Sequence, residues 1–447
     1  MESMRAHILA LTLAVSTLSA QTPSGSARVS LPESPVGRNV GAWLDAFNSG
    51  DSIRLAAYYR RYGLLRSLEA QMARRAISGG FDVVAIEKSE PRYLEAVVRE
   101  RITGNRAYLV SELAPGNDFE VIQSTLVPMP QGTTTASFKI DRATRARVIE
   151  DAIGKLDADY VFPDVARKMA DAVRSRLEHG DYDSVTNGVT FASLLTRHLR
   201  AVSHDLHLAV TFSPARLSDA EVNGRPTQRG RDSERERCGF VKVEHRDENV
   251  GYLKLNSFAR TDACAAVASA AMNSLADVDA LIVDLRDNGG GMPAMVAYVS
   301  SYLFTTRTHL NDLWTRRTNR TEEFWTHDVP GKKLRDGTPV YLLTSARTFS
   351  GAEEFAYDLK SLKRAVVVGE TTGGGAHPVF TQRITDHFLI GVPYARAINP
   401  ITKTNWEGSG VEPDVKVPAV EALSVALKMI ASRRGAVPKP EPGGSQR

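Results

Sequence analysis

Between residues 250 and 369 the chain switches repeatedly between two periodicities, and this constrains the fold more than any other feature. Short apolar runs at 250–255, 280–285, 340–344 and 365–369 have the length of strands. The runs at 280–285 and 340–343 show almost no polar alternation, as expected of strands buried on both faces. Helical patterns fill the gaps at 263–275 and 293–304. After Ser350, residues Ala352, Phe355, Ala356 and Leu359 fall at i, i+3, i+4 and i+7, one face of a helix. Strand and helix alternating in this way predict an α/β core around a largely parallel sheet.

Ser350 therefore stands at a sharp turn from strand to helix. A serine there projects its hydroxyl from the rim of a sheet, with the free N–H groups and partial positive charge of a helix N-terminus behind it. That arrangement suits a nucleophile whose attack creates an oxyanion. The plainer reading is that Ser350-x-x-Glu353 is a capping box and that the serine only closes the helix.

The run at 280–285 leads to Gly289, Gly290 and Gly291, and glycines permit close backbone approach to a ligand. A phosphate cradle would need a following Gly-Lys-Ser/Thr, and the dinucleotide spacing is missing too. An oxyanion-binding loop at the end of a strand fits as well. Ser203 to Leu208 ends a helical region and reads as the start of a strand. There Asp205 and His207 would share one face and His204 the other. A histidine at such a boundary is a candidate general base for Ser350, although a lone histidine is more often an ordinary surface or core residue. A metal site from His204, Asp205 and His207 is disfavoured by the alternating faces, so neither metal nor cofactor is expected. Glu407, in the turn-rich segment 406–414, is placed to orient a catalytic imidazolium, though loop glutamates are common.

The chain has 447 residues, 42% hydrophobic and 24% charged, with a net charge of +4. That charge is small for the length, and no basic block is interleaved with aromatics, so nucleic acid is set aside as a partner. Residues 1–20 join a basic start, a short apolar run and small residues, the pattern of a signal peptide. The run is short for a membrane span. An exported protein, periplasmic or extracellular, is expected, with no stable span after cleavage. Cys238 and Cys264 are either a disulfide pair or two small buried hydrophobes.

Along the chain, 21–37 reads as a linker and 38–130 as a small α+β domain of helices followed by an antiparallel meander. A second linker occupies 131–136. A helical subdomain spans 141–213, a polar excursion 215–237, the α/β core 238–433, and a disordered tail 434–447.

Two resemblances add to this reading. The phrase from Trp43 to Asp51 and the order of elements in 38–130 resemble nuclear-transport-factor-2-like domains, which implies a cystatin-like cone that binds small molecules or pairs with other domains. Residues 141–420 resemble the tail-specific, or C-terminal-processing, serine peptidases. Asp284–Gly291, Thr348–Glu354, Val368–Gly374 and Gly410–Asp414 carry that resemblance. Tyr160–Pro163, Gly180–Asp183 and Ser203–Leu208 are similar to the branch named for interphotoreceptor retinoid-binding protein. The resemblance implies a crotonase/ClpP-like core, a peptide or protein substrate, Ser350 as nucleophile, and the N–H groups of Gly290 and Gly351 as oxyanion hole. Processing peptidases take their base from a lysine in a Thr-Phe-Gly-Lys-Gly loop. Here that loop reads Thr371-Thr372-Gly373-Gly374-Gly375, so the lysine is absent. The tricorn-like arrangement of histidine and distant glutamate matches His207 and Glu407, with Leu206 where that arrangement has a serine. Residues 215–237 are too few for the PDZ domain that processing peptidases insert. The expected function is an exported serine-type peptidase. The rival is a non-catalytic binding protein for an apolar small molecule or peptide on the same fold. Homo-oligomer formation is left open.

Overall fold

The computed structural model describes residues 29–219 and 238–435. The expected signal peptide at 1–20 lies outside the described residues. So do 21–28 of the expected linker, 220–237 of the polar excursion and 436–447 of the tail. Two boundaries differ from expectation, because a helix begins inside the linker and another runs into the tail.

The first helix, α1 (Pro35–Ser49), starts at Pro35. Ser34 accepts the Gly37 N–H on its hydroxyl (3.2 Å), proline takes the first helical position, and Gly50 closes the helix at φ 70°. Asp51 then caps α2 (Ser52–Arg61), and α3 (Leu68–Ser78) follows. Four strands, β1 (Phe81–Glu90), β2 (Tyr93–Glu100), β3 (Arg106–Leu113) and β4 (Val121–Pro128), form an antiparallel meander in that order. Val36, Val40, Leu44 and Phe47 of α1 pack on Leu94, Ala96, Val98 and Leu109 from one face of the sheet. The alternate residues Val97, Tyr108 and Val110 are buried too, against Phe138 and Val189. Both faces of β2 and β3 are therefore covered, the second by the next part of the chain.

That part is helical: α4 (Arg142–Asp159), α5 (Pro163–Glu178) and α6 (Gly188–Ser203). A small sheet completes its core. β5 (Ala209–Phe212) pairs with β14 (Phe388–Pro393), which pairs with β13 (Val379–Arg383). Phe388, Ile390 and Val392 thus reach back from the far end of the chain to pack on Phe191, Leu195 and Leu199. The expected strand through Ser203–Leu208 is not there. Helix α6 runs to Ser203, His204 closes it at φ 57°, a turn follows, and the strand begins only at Ala209.

The remaining elements are β6 (Phe240–Arg246), β7 (Val250–Leu255), α7 (Thr261–Ser274), β8 (Ala280–Asp284), α8 (Pro293–Ser301), β9 (His309–Thr315), β10 (Arg320–Trp325), β11 (Val340–Thr344), α9 (Gly351–Ser361), β12 (Val366–Gly369), β15 (Ala395–Ile398), β16 (Val415–Lys416) and α10 (Ala422–Gly435). The main sheet has the order β16-β12-β11-β8-β7-β6, parallel throughout except for β6 at its edge. Leu281, Val283 and Leu342 face α7, α8 and α9, whereas Ile282, Tyr341 and Leu343 face α10. This two-sided cover explains the uninterrupted apolar runs in β8 and β11. β9, β10 and β15 form a separate sheet. Cys238 and Cys264 are disulfide-bonded, with Cα atoms 5.5 Å apart, which settles the two readings in favour of the pair. No helix among the described residues is long and apolar enough to cross a membrane.

Candidate active site

Strands β8, β11 and β12 end level with one another, since Leu343 pairs with Asp284 and Thr344 with Gly369. Ligands in open α/β sheets bind beyond such carboxyl ends. The turns after β8 and β11 are laced together there. Thr348 Oγ1 donates to the Leu285 carbonyl (2.8 Å), Ser345 Oγ to the Arg286 carbonyl (2.6 Å), and the Phe349 N–H to the Asn288 carbonyl (3.0 Å).

Held in that lacing, Ser350 adopts φ 56° and ψ −124°, a conformation L-residues rarely occupy. A serine forced into a strained strand-to-helix turn is the geometry of a nucleophile elbow. The capping reading survives in part, because Glu353 accepts the Ser350 N–H at 2.7 Å. The same buried carboxylate also accepts from Thr372 Oγ1 (2.5 Å), Gly374 N–H (2.6 Å) and Gly375 N–H (2.9 Å). Glu353 is therefore less a helix cap than a clasp between the serine turn and loop 371–375.

The glycine loop presses against the serine. A Cβ on Gly290 (φ +105°) would lie 2.7 Å from Ser350 Cβ and 2.8 Å from the Gly351 nitrogen, so only glycine fits. Of the two expected oxyanion donors, Gly351 is the first residue of α9, where no intrahelical carbonyl reaches its N–H. Gly290 is different. Its N–H donates to Asn288 Oδ1 at 2.8 Å, an oxygen fixed in place because Asn288 Nδ2 donates to the Leu255 carbonyl. An incoming oxyanion would have to share or displace that bond.

His207 comes from the turn after α6. Its own N–H donates to Asp205 Oδ1 (3.0 Å), and Arg200 grips the flanking Leu206 and Leu208 carbonyls (2.6 and 2.7 Å). The imidazole packs on the ring of Phe349, the residue before Ser350, at 4.6 Å between centroids. His207 is thus packed on the residue that precedes Ser350, and no hydrogen bond joins His207 to Ser350 among the described residues. A Cβ on Gly375 would fall 2.6 Å from His207 Cε1 and 2.3 Å from Phe349 Cζ. The two rings fill the space that a side chain at 375 would need. Glu407 is carried by a loop zipped to 371–377: Trp406 Nε1 donates to the Gly375 carbonyl (2.7 Å), and Glu407 Oε2 accepts the Ala376 N–H (2.5 Å). Asp205, His207 and Glu407 each bring a ligand atom within 4.8 Å of the other two. His207 Nδ1 and Glu407 Oε1 are both buried and unpartnered. Burial pushes the His207 imidazole down to about 4 and the Glu407 carboxyl up to about 7.

These three residues are also the one donor set for a metal among the described residues, with Glu407 where the sequence reading had considered His204. Asp205 is poorly free to ligate, because its oxygens already accept from the His207 N–H, Tyr160 Oη (3.3 Å) and His377 Nδ1 (2.7 Å). His377 is the residue the sequence reading missed. It stands directly after the glycine loop, in Gly375-Ala376-His377, and that proximity was the available signal.

A mixed α/β fold with a strained serine, an imidazole and a carboxylate gathered at the carboxyl edge of a parallel sheet has the layout of a serine hydrolase. Comparison with known proteins gives the family. Residues 249–417 match peptidase family S41, and residues 140–243 match the N-terminal domain of peptidase S41 in eukaryotic IRBP. Residues 140–243 and 249–417 thus carry the two parts of peptidase family S41. The chain is similar to the chloroplastic C-terminal processing peptidase of Tetradesmus obliquus, 28% identical over 178 residues, covering 38% of this chain and 35% of the relative. It is also similar to the chloroplastic carboxyl-terminal-processing peptidase 1 of Arabidopsis thaliana, 29% identical over 194 residues, covering 42% of this chain and 37% of the relative. The chain thus spans little more than a third of these relatives' length. Among solved structures, a photosystem II D1 C-terminal processing protease aligns over 38% of this chain and 42% of its own, with 27% identity and a TM-score of 0.32.

Proposed function

We propose that the protein is an exported serine-type peptidase that cleaves peptide bonds through an acyl-enzyme. Ser350 attacks the carbonyl, His207 takes the proton and returns it to the leaving amine, and Glu407 orients His207. The Gly351 N–H stabilises the oxyanion, joined by Gly290 when its bond to Asn288 yields. The observation that carries this reading is the filled space at Gly375. His207 and Phe349 occupy the volume beside the serine turn that a side chain at 375 would take, which supports a histidine-activated serine over a lysine-activated one. The unpartnered, buried His207 Nδ1 and Glu407 Oε1 support it further, since a small closure would join them.

The finer architecture belongs to the same proposal. It comprises a crotonase/ClpP-like core over 238–433, a helical subdomain over 141–213 and a nuclear-transport-factor-2-like cone over 38–130. The three-helix, four-strand order of the N-terminal part supports the cone. The basic start, short apolar run and small-residue exit of 1–20 support export. The substrate is a polypeptide.

A fluorophosphonate probe tests the chemistry. Labelling that disappears in a folded Ser350→Ala variant is the expected result; parent protein that is well folded and never labelled would refute it. One observation favours the rival binding reading. A cleft of about 830 Å³ between the N-terminal part and the core is walled by Leu64, Leu65, Met72 and Val420. Uptake of an apolar dye there, without labelling of Ser350, would favour a binding protein.

A further inference from the structure

His377 lies between two carboxylates. Its Nδ1 is 2.7 Å from Asp205 Oδ2 and 3.5 Å from Glu407 Oε2. All three side chains are largely buried, with exposures of 6%, 1% and 18% for His377, Asp205 and Glu407. Asp205 accepts the His207 main-chain N–H on Oδ1 and the Tyr160 hydroxyl on Oδ2, and the same Oδ2 lies 2.7 Å from His377 Nδ1. A buried ionised carboxylate needs a countercharge. Among the described residues no lysine or arginine forms an ion pair with Asp205 or Glu407. Arg200 is near but spends its guanidinium on the Leu206 and Leu208 carbonyls. Two imidazoles lie near both acids: burial holds His207 toward its neutral form, and His377 makes the close contacts. The His377 ring is held edge-on by Phe162 at 5.4 Å between centroids.

We infer that His377 is a positioning residue for Glu407: an imidazolium shared with Asp205, which keeps the Glu407 carboxylate charged and fixed beside His207. The inference rests on the proposed Ser350/His207/Glu407 chemistry. Without a proton on His377, two carboxylates would face each other across a neutral ring, and one of them would take up a proton. Glu407 is the more exposed to that outcome. Burial raises its carboxyl, the His377 charge opposes the rise, and Asp205 and Glu353 add to it. The groups facing His377 are then Asp205 and Glu407 directly, with Tyr160, His207, Glu353 and Arg200 beyond them. A protonated Glu407 can no longer accept the His207 Nδ1–H as an anion, so His377 would act on the reaction through Glu407 and not by touching substrate.

The test is the pH profile of Ser350 labelling by a fluorophosphonate, measured on the full chain as parent, His377→Gln and His377→Gln/Asp205→Asn. Glutamine keeps an N–H donor and removes the charge. The acid limb of His377→Gln is expected to move up by about one pH unit. That is about tenfold slower labelling at pH 6 and less than about twofold at pH 8.5. The double variant recovers much of the loss, because the Asp205 charge that raises Glu407 is gone. A His377→Gln profile lowered equally at every pH would mean a purely structural role and would overturn the inference. If the parent is labelled at no pH, the peptidase reading fails separately. The charge sharing is then decided by the His377 Hε1 resonance in Asp205→Asn. A titration midpoint moved to lower pH supports it, and an unmoved midpoint overturns it.

Discussion

Ser350 at φ 56° gives a prediction in which stability and activity part company. A non-glycine residue held in such a region costs about 1–3 kcal/mol, and the cost persists because the surrounding structure over-determines it. Here the over-determination is visible: the Phe349 N–H bond to Asn288, the Glu353 clasp, and Gly290 packed against the Ser350 Cβ. Alanine at 350 keeps the Cβ and hence the strain. Glycine releases it but gains about 0.5–1 kcal/mol of freedom in the unfolded chain, which works the other way. The balance leaves Ser350→Gly more stable than Ser350→Ala by about 0.5–2 kcal/mol. Urea unfolding followed by tryptophan fluorescence measures it, since Trp406 is 2% exposed and hydrogen-bonded to the glycine loop beside the site. Both variants should lose fluorophosphonate labelling. Equal stability of the two, or a less stable glycine variant, would show that the turn is not strained and would remove the elbow argument for Ser350.

Four further outcomes follow from the structure. Labelling of Ser350 should rise with pH through about 7, set by Glu407 and not by His207, whose imidazole is held down near 4 and stays neutral; Glu407→Gln should flatten that rise. Because the folded Glu407 value lies above its ordinary one of 4.5, its contribution to stability is full below about 4.5 and is lost as pH rises through about 7, so thermal melts should show the fold losing that increment where labelling appears. Gly375→Ala puts a methyl 2.3 Å from Phe349 Cζ and 2.6 Å from His207 Cε1, and should cost about 1–3 kcal/mol and slow labelling at least tenfold without unfolding the chain, as denaturation and probe kinetics on one sample would reveal. Replacing Cys238 and Cys264 with serine opens a loop spanning 26 residues and should lower stability by about 3.5 kcal/mol in the chain-entropy account, read from denaturation midpoints.

Much of the core was legible in the residues, because strands buried on both faces and helices with one apolar face leave periodicities that do not depend on distant contacts. The runs that became β7, β8, β11 and β12 and the helix after Ser350 are of this kind. Elements without such a signature were not read. β10 carries four exposed residues in six, and β13 three in five, so neither shows a buried face to recognise. The turn at His204–His207 was misread as strand for a related reason: a helix end closed by a non-glycine residue at positive φ has no distinctive composition.

By itself, the sequence determined where a candidate nucleophile, a glycine loop and a candidate base and carboxylate stand along the chain. The elements that carry them are set by local pattern and turn chemistry. Only the tertiary structure decided which of these groups meet, and in what state. It folded Phe388–Pro393 back onto β5, so that the turn bearing His207 comes beside loops from the far end of the chain. It tied the Gly290 N–H to Asn288, made Glu353 a clasp, and set His377 between Asp205 and Glu407. Periodicity records which side of an element is buried. The partners of a buried polar atom depend on how separate layers dock, and a one-dimensional pattern does not carry that information.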